Sequence, residues 1–440
     1  MNSKKFFAMC SEKGINTAEL VYSRDKKTSF AIFRGEIDNY SISNQSELIA
    51  RGIYNGKISQ ALTEDLSVNG LKYLVNVLLN ADSIIEKAEE PIIFEGSKKY
   101  FKKNVFNSDL AKVSIDEKIK LAFEMEKYAY SLDPRVKMVN IEYEEEESEK
   151  AQSNTYGLSL KNKTNYFVYV TQVIVSDGEE NKVDYSIFFD NDFSKFDYEK
   201  EVRETVERAL SKLNGKPLES GEYKCVFSPN ATATLLSAMI NTGCSAENIQ
   251  KNSSVLIGKL NTQVFSKKVT IEEKPLTKNA FFTYFDDEGV ATQNKVIVKN
   301  GVLNTYLYNL ETAKKDGVES TGNGYQSGTK IGIRTRSLTL KAGKLSEEEL
   351  FAHAGSGIYV TGLSGVHSGL NASSGSFSLE AEGYHIENGK KASAITLFTV
   401  GGNIYDLFRD VLEVGNNSKL IYTSVTAPSI LVKGIKASGM

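Results

Sequence analysis

Three observations predict an α+β chain of two domains: helical and strand periodicities alternate through the first half, the composition changes near residue 218, and glycine crowds the second half. At 440 residues the chain exceeds the length over which one hydrophobic core usually keeps growing. Hydrophobic residues make up 40% and charged residues 25% of it, an ordinary globular balance that is neither disordered nor membrane-like. Two-thirds of the 33 glycines fall beyond residue 255. The expected domains are 1–218, built from two helix/antiparallel-strand/helix units, and 219–440, a glycine-rich, β-dominated domain with a few helices.

The elements follow in order. Ser3 to Ser11 forms a short helix with Phe6, Phe7 and Cys10 on one side. AELVYSRD, TSFAIFRGEIDNYSIS and ELIARGIYNGKISQALTED then alternate with the period of strands, with Asn55-Gly56 as a two-residue turn. A helix starts at the N-cap Ser67 and carries Leu71, Leu74, Val75, Val77 and Leu78 as an apolar stripe. The second unit repeats the order. Its first helix opens on a capping box, Ser114 with Glu117, and three strand segments lead to a charged amphipathic helix over about 198–213. The run EEEES at 144–148 places successive side chains on opposite faces if extended, and we read it as a solvated edge or loop. Lysine-rich EGSKKYFKKN at 95–104 reads as a solvated loop.

Beyond Gly215-Lys-Pro the β-rich half begins with a strand over 220–227. Ser228-Pro229 then opens a helix as N-cap and first residue, and that helix ends at Gly243. KVIVKNGVLNTYLYN is a hairpin on Asn300-Gly301. ITLFTVGGNIYDLFRDVLEVG reads as a strand, a Gly-Gly-Asn turn and a helix stopping at Gly415.

GVHSGLNASSGSFSLEAEGYHIENG, residues 365–389, holds the most chemistry-bearing side chains, yet it matches no known catalytic spacing. It contains no GxSxG nucleophile elbow. His353, His367 and His385 lie 14 and 18 residues apart and belong to no HExxH helix. As a strand, 376–386 puts Phe377, Leu379, Ala381, Gly383 and His385 on an apolar side, which makes His385 a packed, hydrogen-bonded residue. Glu380 and Glu382 share the polar side, about 7 Å apart at Cα, a geometry open to acid/base work and equally to solvation. Phe285-Asp-Asp-Glu-Gly289 lacks the spacing of a calcium loop and reads as a turn.

The bulk numbers exclude several functions. A net charge of −3 without a basic stripe argues against nucleic acid as a partner. Three scattered cysteines argue against a disulfide framework or structural zinc. No apolar run approaches a membrane span, and charge interrupts the first residues before a signal sequence develops, so a cytoplasmic protein is expected.

FDDEGVATQNKVIVKNGVLNTYLYNLETAKK (285–315), STGNGYQS (320–327) and GLSGVHSGLNASSGSFSLEAEGYHIENGKKASAITLFTVGGNIYDLF (362–408) together resemble segments of the TldD/PmbA family. Within it they are most similar to the PmbA branch, also called TldE and historically named a modulator of DNA gyrase. The resemblance implies a metallopeptidase pair that degrades unfolded peptides. Its TldD-type subunit holds zinc through HExxxH on a helix of the second domain plus a cysteine near the C-terminus. Here the matching helix, SPNATATLLSAMINTG, has neither histidine nor glutamate, and 412–439 has no cysteine.

The resemblance therefore implies no catalytic residue, metal ligand or cofactor in this chain, with the zinc in a TldD-like partner. This chain would help bind and enclose the peptide, through His367, Ser368, Asn371, Ser373, Ser374, Gly375, Ser376 and Phe377, with Asn403. Glycine in such a wall lets another backbone approach, so valine at Gly375 is expected to impair processing with the fold intact. Two alternatives stay open: a non-enzymatic peptide- or protein-binding homodimer, and a stand-alone hydrolase using Glu380 and Glu382.

Overall fold

In the computed structural model, which describes residues 2–80, 92–328 and 330–439, the first half is one six-stranded antiparallel sheet made by two similar units. The first unit runs α1 (Ser3–Glu12), β1 (Thr17–Phe33), β2 (Glu36–Tyr54), β3 (Lys57–Thr63) and α2 (Val68–Leu79). The second runs α3 (Ile115–Leu132), β4 (Val136–Asn154), β5 (Ser159–Ser176), β6 (Asn181–Asp190) and α4 (Tyr198–Ser211). The strand order is β3-β2-β1-β4-β5-β6, so the first strands of the two units form the seam.

Local chemistry starts the helices where the sequence places them. Ser67 accepts from the Asn69 N–H, and Ser114 and Glu117 form the reciprocal capping box. All four helices cover one face of the sheet. Leu20 on β1 packs with Leu71 and Leu74 of α2, while Phe30 and Ile32, on the same side of that strand, pack with Ala122 and Met125 of α3. The other face lies against the second half. Tyr166 on β5 meets Tyr422 with ring centroids 5.9 Å apart, and Leu158 and Leu160 join a core with Phe282, Tyr284 and Phe285.

The acidic run is a correction. Residues 144–148 are no edge or loop but the middle of β4, a central strand. Alternation on a strand distributes the glutamates to two sets of partners. Glu144 pairs with Lys27 at 2.5 Å and Glu146 accepts from the Tyr166 hydroxyl at 2.9 Å. Glu145 is held by Lys118 of α3, and Glu147 pairs with Lys163 at 2.9 Å.

The second half begins with β7 (Gly221–Phe227) and α5 (Pro229–Gly243). It contains a closed ring of five strands: β7 pairs with 430–439, that strand with 398–403, then 376–387, then 357–364, which returns to β7 in parallel. A six-stranded sheet through 271–273, 295–299 and 338–340 and a hairpin at 324–333 complete it. Helix α5 packs against strand 357–364 and the segments 419–421 and 425–427. Two expectations here are corrected, the first being the turn: Gly401-Gly402-Asn403 is the end of strand Phe398–Asn403, held in the ladder opposite Ser376–Ser378. The second is the helix after Asn403, which ends at Arg409: Val411–Val414 is a strand paired with 430–432, its two valines buried on either side of a register shift.

Candidate functional site

The residues expected to line a channel gather around one turn. Asn371 organises it: its Oδ1 accepts from the Ser374 N–H at 3.0 Å, its N–H donates to the Ser376 carbonyl at 2.9 Å, and its carbonyl accepts from the Gly375 N–H at 2.7 Å. Asn403 anchors the turn from the next strand, its Nδ2 donating to the Ser374 carbonyl at 2.8 Å while its Oδ1 accepts from the Tyr405 N–H at 3.0 Å. Ser376 stands opposite Asn403 in the ladder, and Ser373 is exposed. His367 and Ser368 are exposed on a one-turn helix at 366–369.

Two residues depart from the expected surface. Phe377 is buried in the core of the second half, so its ring lines no outer wall. Gly375 has a φ of +82°, and a Cβ there would lie 2.4 Å from the Tyr405 ring and 2.7 Å from the Asn403 Oδ1. Valine at this position would break the turn itself, and the expectation of an intact fold is withdrawn.

Strand 376–387 alternates as expected through Gly383, leaving Glu380 and Glu382 exposed on one side. Glu382 is bound to Lys212 at 2.7 Å, and that lysine also meets Asp184 at 3.0 Å. The arrangement is a surface ion-pair chain joining the two halves. The alternation then breaks at the register shift between Tyr384 and Ile386, so His385 is only half-buried. Its Nε2 is buried without a hydrogen-bond partner among the described residues, unlike the satisfied imidazole expected.

The unexpected site is the acidic turn. Phe285-Asp-Asp-Glu-Gly289 is a turn, with the Asp286 N–H donating to the Val290 carbonyl at 2.9 Å, but the Asp286 and Glu288 carboxylates are enclosed between the halves. Asp286 Oδ1 accepts from the N–H groups of Glu288 at 3.0 Å and Val290 at 2.9 Å, and its Oδ2 from the Gly324 N–H at 2.8 Å. Glu288 accepts from the Leu310 N–H at 2.8 Å. Gly324 is required by this approach, since a Cβ there would lie 2.7 Å from the Glu288 Oε2. Asp287 faces the sheet, accepting from Lys150 at 2.5 Å and the Gln326 N–H at 2.9 Å, with Arg336 at 3.3 Å. Nearby on the sheet, Glu19 accepts from Arg51 at 2.6 and 2.9 Å and from the Gln152 Nε2 at 2.7 Å.

Burial and neighbours split these acids. Desolvation pushes the Asp286 and Glu288 carboxyls up, and the Asp286 charge raises Glu288 further. Burial acts upward on Asp287 too, yet Lys150 and Arg336 beside it hold it down to about 2. Sequence reasoning passed over Glu19 and Arg51, whose signal was a charge set between apolar or small neighbours within a strand, Ala-Glu-Leu and Ala-Arg-Gly.

The donor set does not fit a zinc ion. A catalytic zinc takes three protein ligands from His, Cys, Asp or Glu, and among the described residues no group of three or more such side chains converges. The polar side chains of α5 are Asn, Thr and Ser. Its Asn241 Oδ1 accepts from the Thr335 N–H at 2.8 Å and hydroxyl at 3.0 Å. The buried cysteines are free, and burial pushes the Cys244 thiol, at the end of α5, up to about 12, where it stays protonated at neutral pH.

The molecule is thus a two-part α+β protein, a sheet with helices on one face and residues 282–285 and Tyr422 of the β-rich second half against the other. Residues 220–439 match the PmbA/TldA metallopeptidase C-terminal domain and residues 108–213 the central domain of the same proteins. The chain belongs to the PmbA/TldD family. It is 27% identical to the metalloprotease PmbA of Escherichia coli O157:H7 over 430 residues, covering 96% of this chain and 92% of that one. A solved structure from Thermotoga maritima, described as a modulator of a DNA gyrase, superposes with a TM-score of 0.92 at 30% identity over 99% of both chains. TldE from Thermococcus kodakarensis, at 24% identity and a TM-score of 0.90 over 97% of this chain and 98% of that one, shares the fold.

Proposed function

We propose that this chain is the PmbA/TldE-type subunit of a two-chain zinc metallopeptidase, which binds and helps enclose unfolded peptide while a TldD-like partner carries the zinc. The observation that carries this reading is helix α5. The resemblance matches it to the family's metal helix, and it packs against 419–421 and 425–427, yet its polar side chains are Asn, Thr and Ser rather than zinc donors. This chain's contribution is then to hold backbone. The turn ordered by Asn371 and Asn403 presents exposed hydroxyl and amide groups, which suit peptides of varied sequence.

The test is isolation of the chain from its own cell, followed by zinc analysis and cleavage of an unfolded peptide. We expect a second chain bearing HExxxH, zinc in that chain, and cleavage that needs both. Stoichiometric zinc and chelator-sensitive cleavage with this chain alone would overturn the proposal. Recovery of the chain paired only with itself, without cleavage, would favour the homodimer.

A further inference from the structure

Between the two halves, beside the acidic turn, lies a cavity of about 330 Å³ whose lining includes Lys150 on β4, the aromatic rings of Phe281 and Tyr325, and Arg334, Arg336 and Ser337. That volume sits at the small end of ligand sites, suited to a single terminal group and its side chain. No Asp or Glu lines it. Asp287 is shared by Lys150 and Arg336, and Asp25 and Glu146 accept from the hydroxyl of the lining Ser148, so the cation left without an ion partner is Arg334. The Arg334 guanidinium meets only the Tyr325 ring, 5.1 Å away, and pairs with no carboxylate among the described residues.

Two donors in this wall are unsatisfied. The Arg336 Nε and the Ser337 hydroxyl are buried without a hydrogen-bond partner among the described residues, and Ser337 is only 6% exposed. Buried donors without partners are rare because each forfeits its hydration. Ser337 also adopts a φ of 54°, in the left-handed region where a non-glycine residue is uncommon and is found at ligand-binding sites. A guanidinium without an ion partner, unpartnered donors on two lining residues and apolar rings around one small cavity fit an anionic group on an organic chain. Guanidinium groups favour carboxylates because their paired N–H groups match the two oxygens.

We propose that this cavity binds the C-terminal carboxylate of a peptide. The proposal rests on the peptide-binding reading above and deepens it. A free carboxylate is the one anion that every unmodified peptide carries whatever its sequence, so capture of the end suits a subunit that handles unrelated unfolded chains.

The test is fluorescence anisotropy with the full-length chain and one unstructured decapeptide labelled at its N-terminus, as the free acid and as the C-terminal amide. We expect the acid to bind about tenfold more tightly than the amide, the scale of a charge-assisted hydrogen bond. Arg334→Gln alters a side chain that touches only the Tyr325 ring, so the fold should persist while the preference for the acid drops at least threefold. Equal binding of both forms overturns the carboxylate site and leaves peptide binding standing. Binding of neither form overturns the peptide-binding reading and this site with it. A preference unchanged in Arg334→Gln overturns its assignment to this cavity.

Discussion

The acidic turn at 285–289 and the serine-rich stretch at 365–389 are both short, glycine-containing and rich in titratable groups, but the second half of the protein uses them in opposite ways. In the turn, Asp286 and Glu288 are buried, receive backbone N–H groups and are displaced from ordinary acidity. In the stretch, Glu380, His367 and most of the serines stand in solvent, and Glu382 spends its charge on Lys212. The difference teaches that enclosure between two surfaces, rather than density of reactive side chains, is what changes the chemistry of a carboxylate.

The largest break in this comparison should come from Arg51→Met beside the acidic turn. It leaves the Glu19 carboxylate, 1% exposed, without its ion partner. We expect a loss of roughly 3–5 kcal/mol in urea unfolding, as for other buried pairs stripped of one member, with much of it restored in the Arg51→Met, Glu19→Met double variant. A loss under about 0.5 kcal/mol would mean the interface is not the rigid enclosure described.

A smaller effect should appear in pH dependence. The folded-state carboxyl of Glu288 is pushed up to about 8, so the folded protein holds a proton that the unfolded chain releases at the usual acidic pH. Stability therefore falls as pH rises from about 5 to 8. Each unit of displacement corresponds to about 1.4 kcal/mol, and we expect at least that much between those limits. Glu288→Gln should make the profile shallower, leaving the part that the raised Asp286 carboxyl contributes, and urea unfolding at four pH values would read it. Asp287 acts with the opposite sign, its contribution being lost only as pH falls below about 4 toward 2.

The smallest effect belongs to the stretch. Glu382→Gln should cost less than about 1 kcal/mol in thermal unfolding, because its side chain is 55% exposed and its ion pair is screened by water. A larger loss would raise the interdomain ion-pair chain to the rank of the buried turn.

Much of the fold could be read from local chemistry. Ser67, Ser114 and Ser228-Pro229 start helices where capping rules place them, since a cap is decided within four residues. Reading failed where the deciding partner was distant in sequence. Glu144 to Glu147 are tolerated in a central strand because Lys27, Lys118, Tyr166 and Lys163 come to them. Val411–Val414 is a strand because residues 430–432 lie beside it. The acidic turn is visible as a turn, but its burial depends on Lys150 and Gly324, and the orphan donors of Arg336 and Ser337 have no signature in a linear pattern.

The seam between β1 and β4 carries a consequence for synthesis. Glu19 pairs with Asn154 and Phe33 with Asn140, so the first unit lacks its neighbour until more than a hundred further residues have been made. At a translation rate of roughly 5–20 residues per second this leaves β1 unpaired on that side for several seconds. During that interval the nascent chain exposes a long strand edge of the kind that recruits other chains. Lys26 and Lys27 at the middle of β1 supply the charge that discourages such pairing, and the same lysines later face Glu147 and Glu146 across the finished seam.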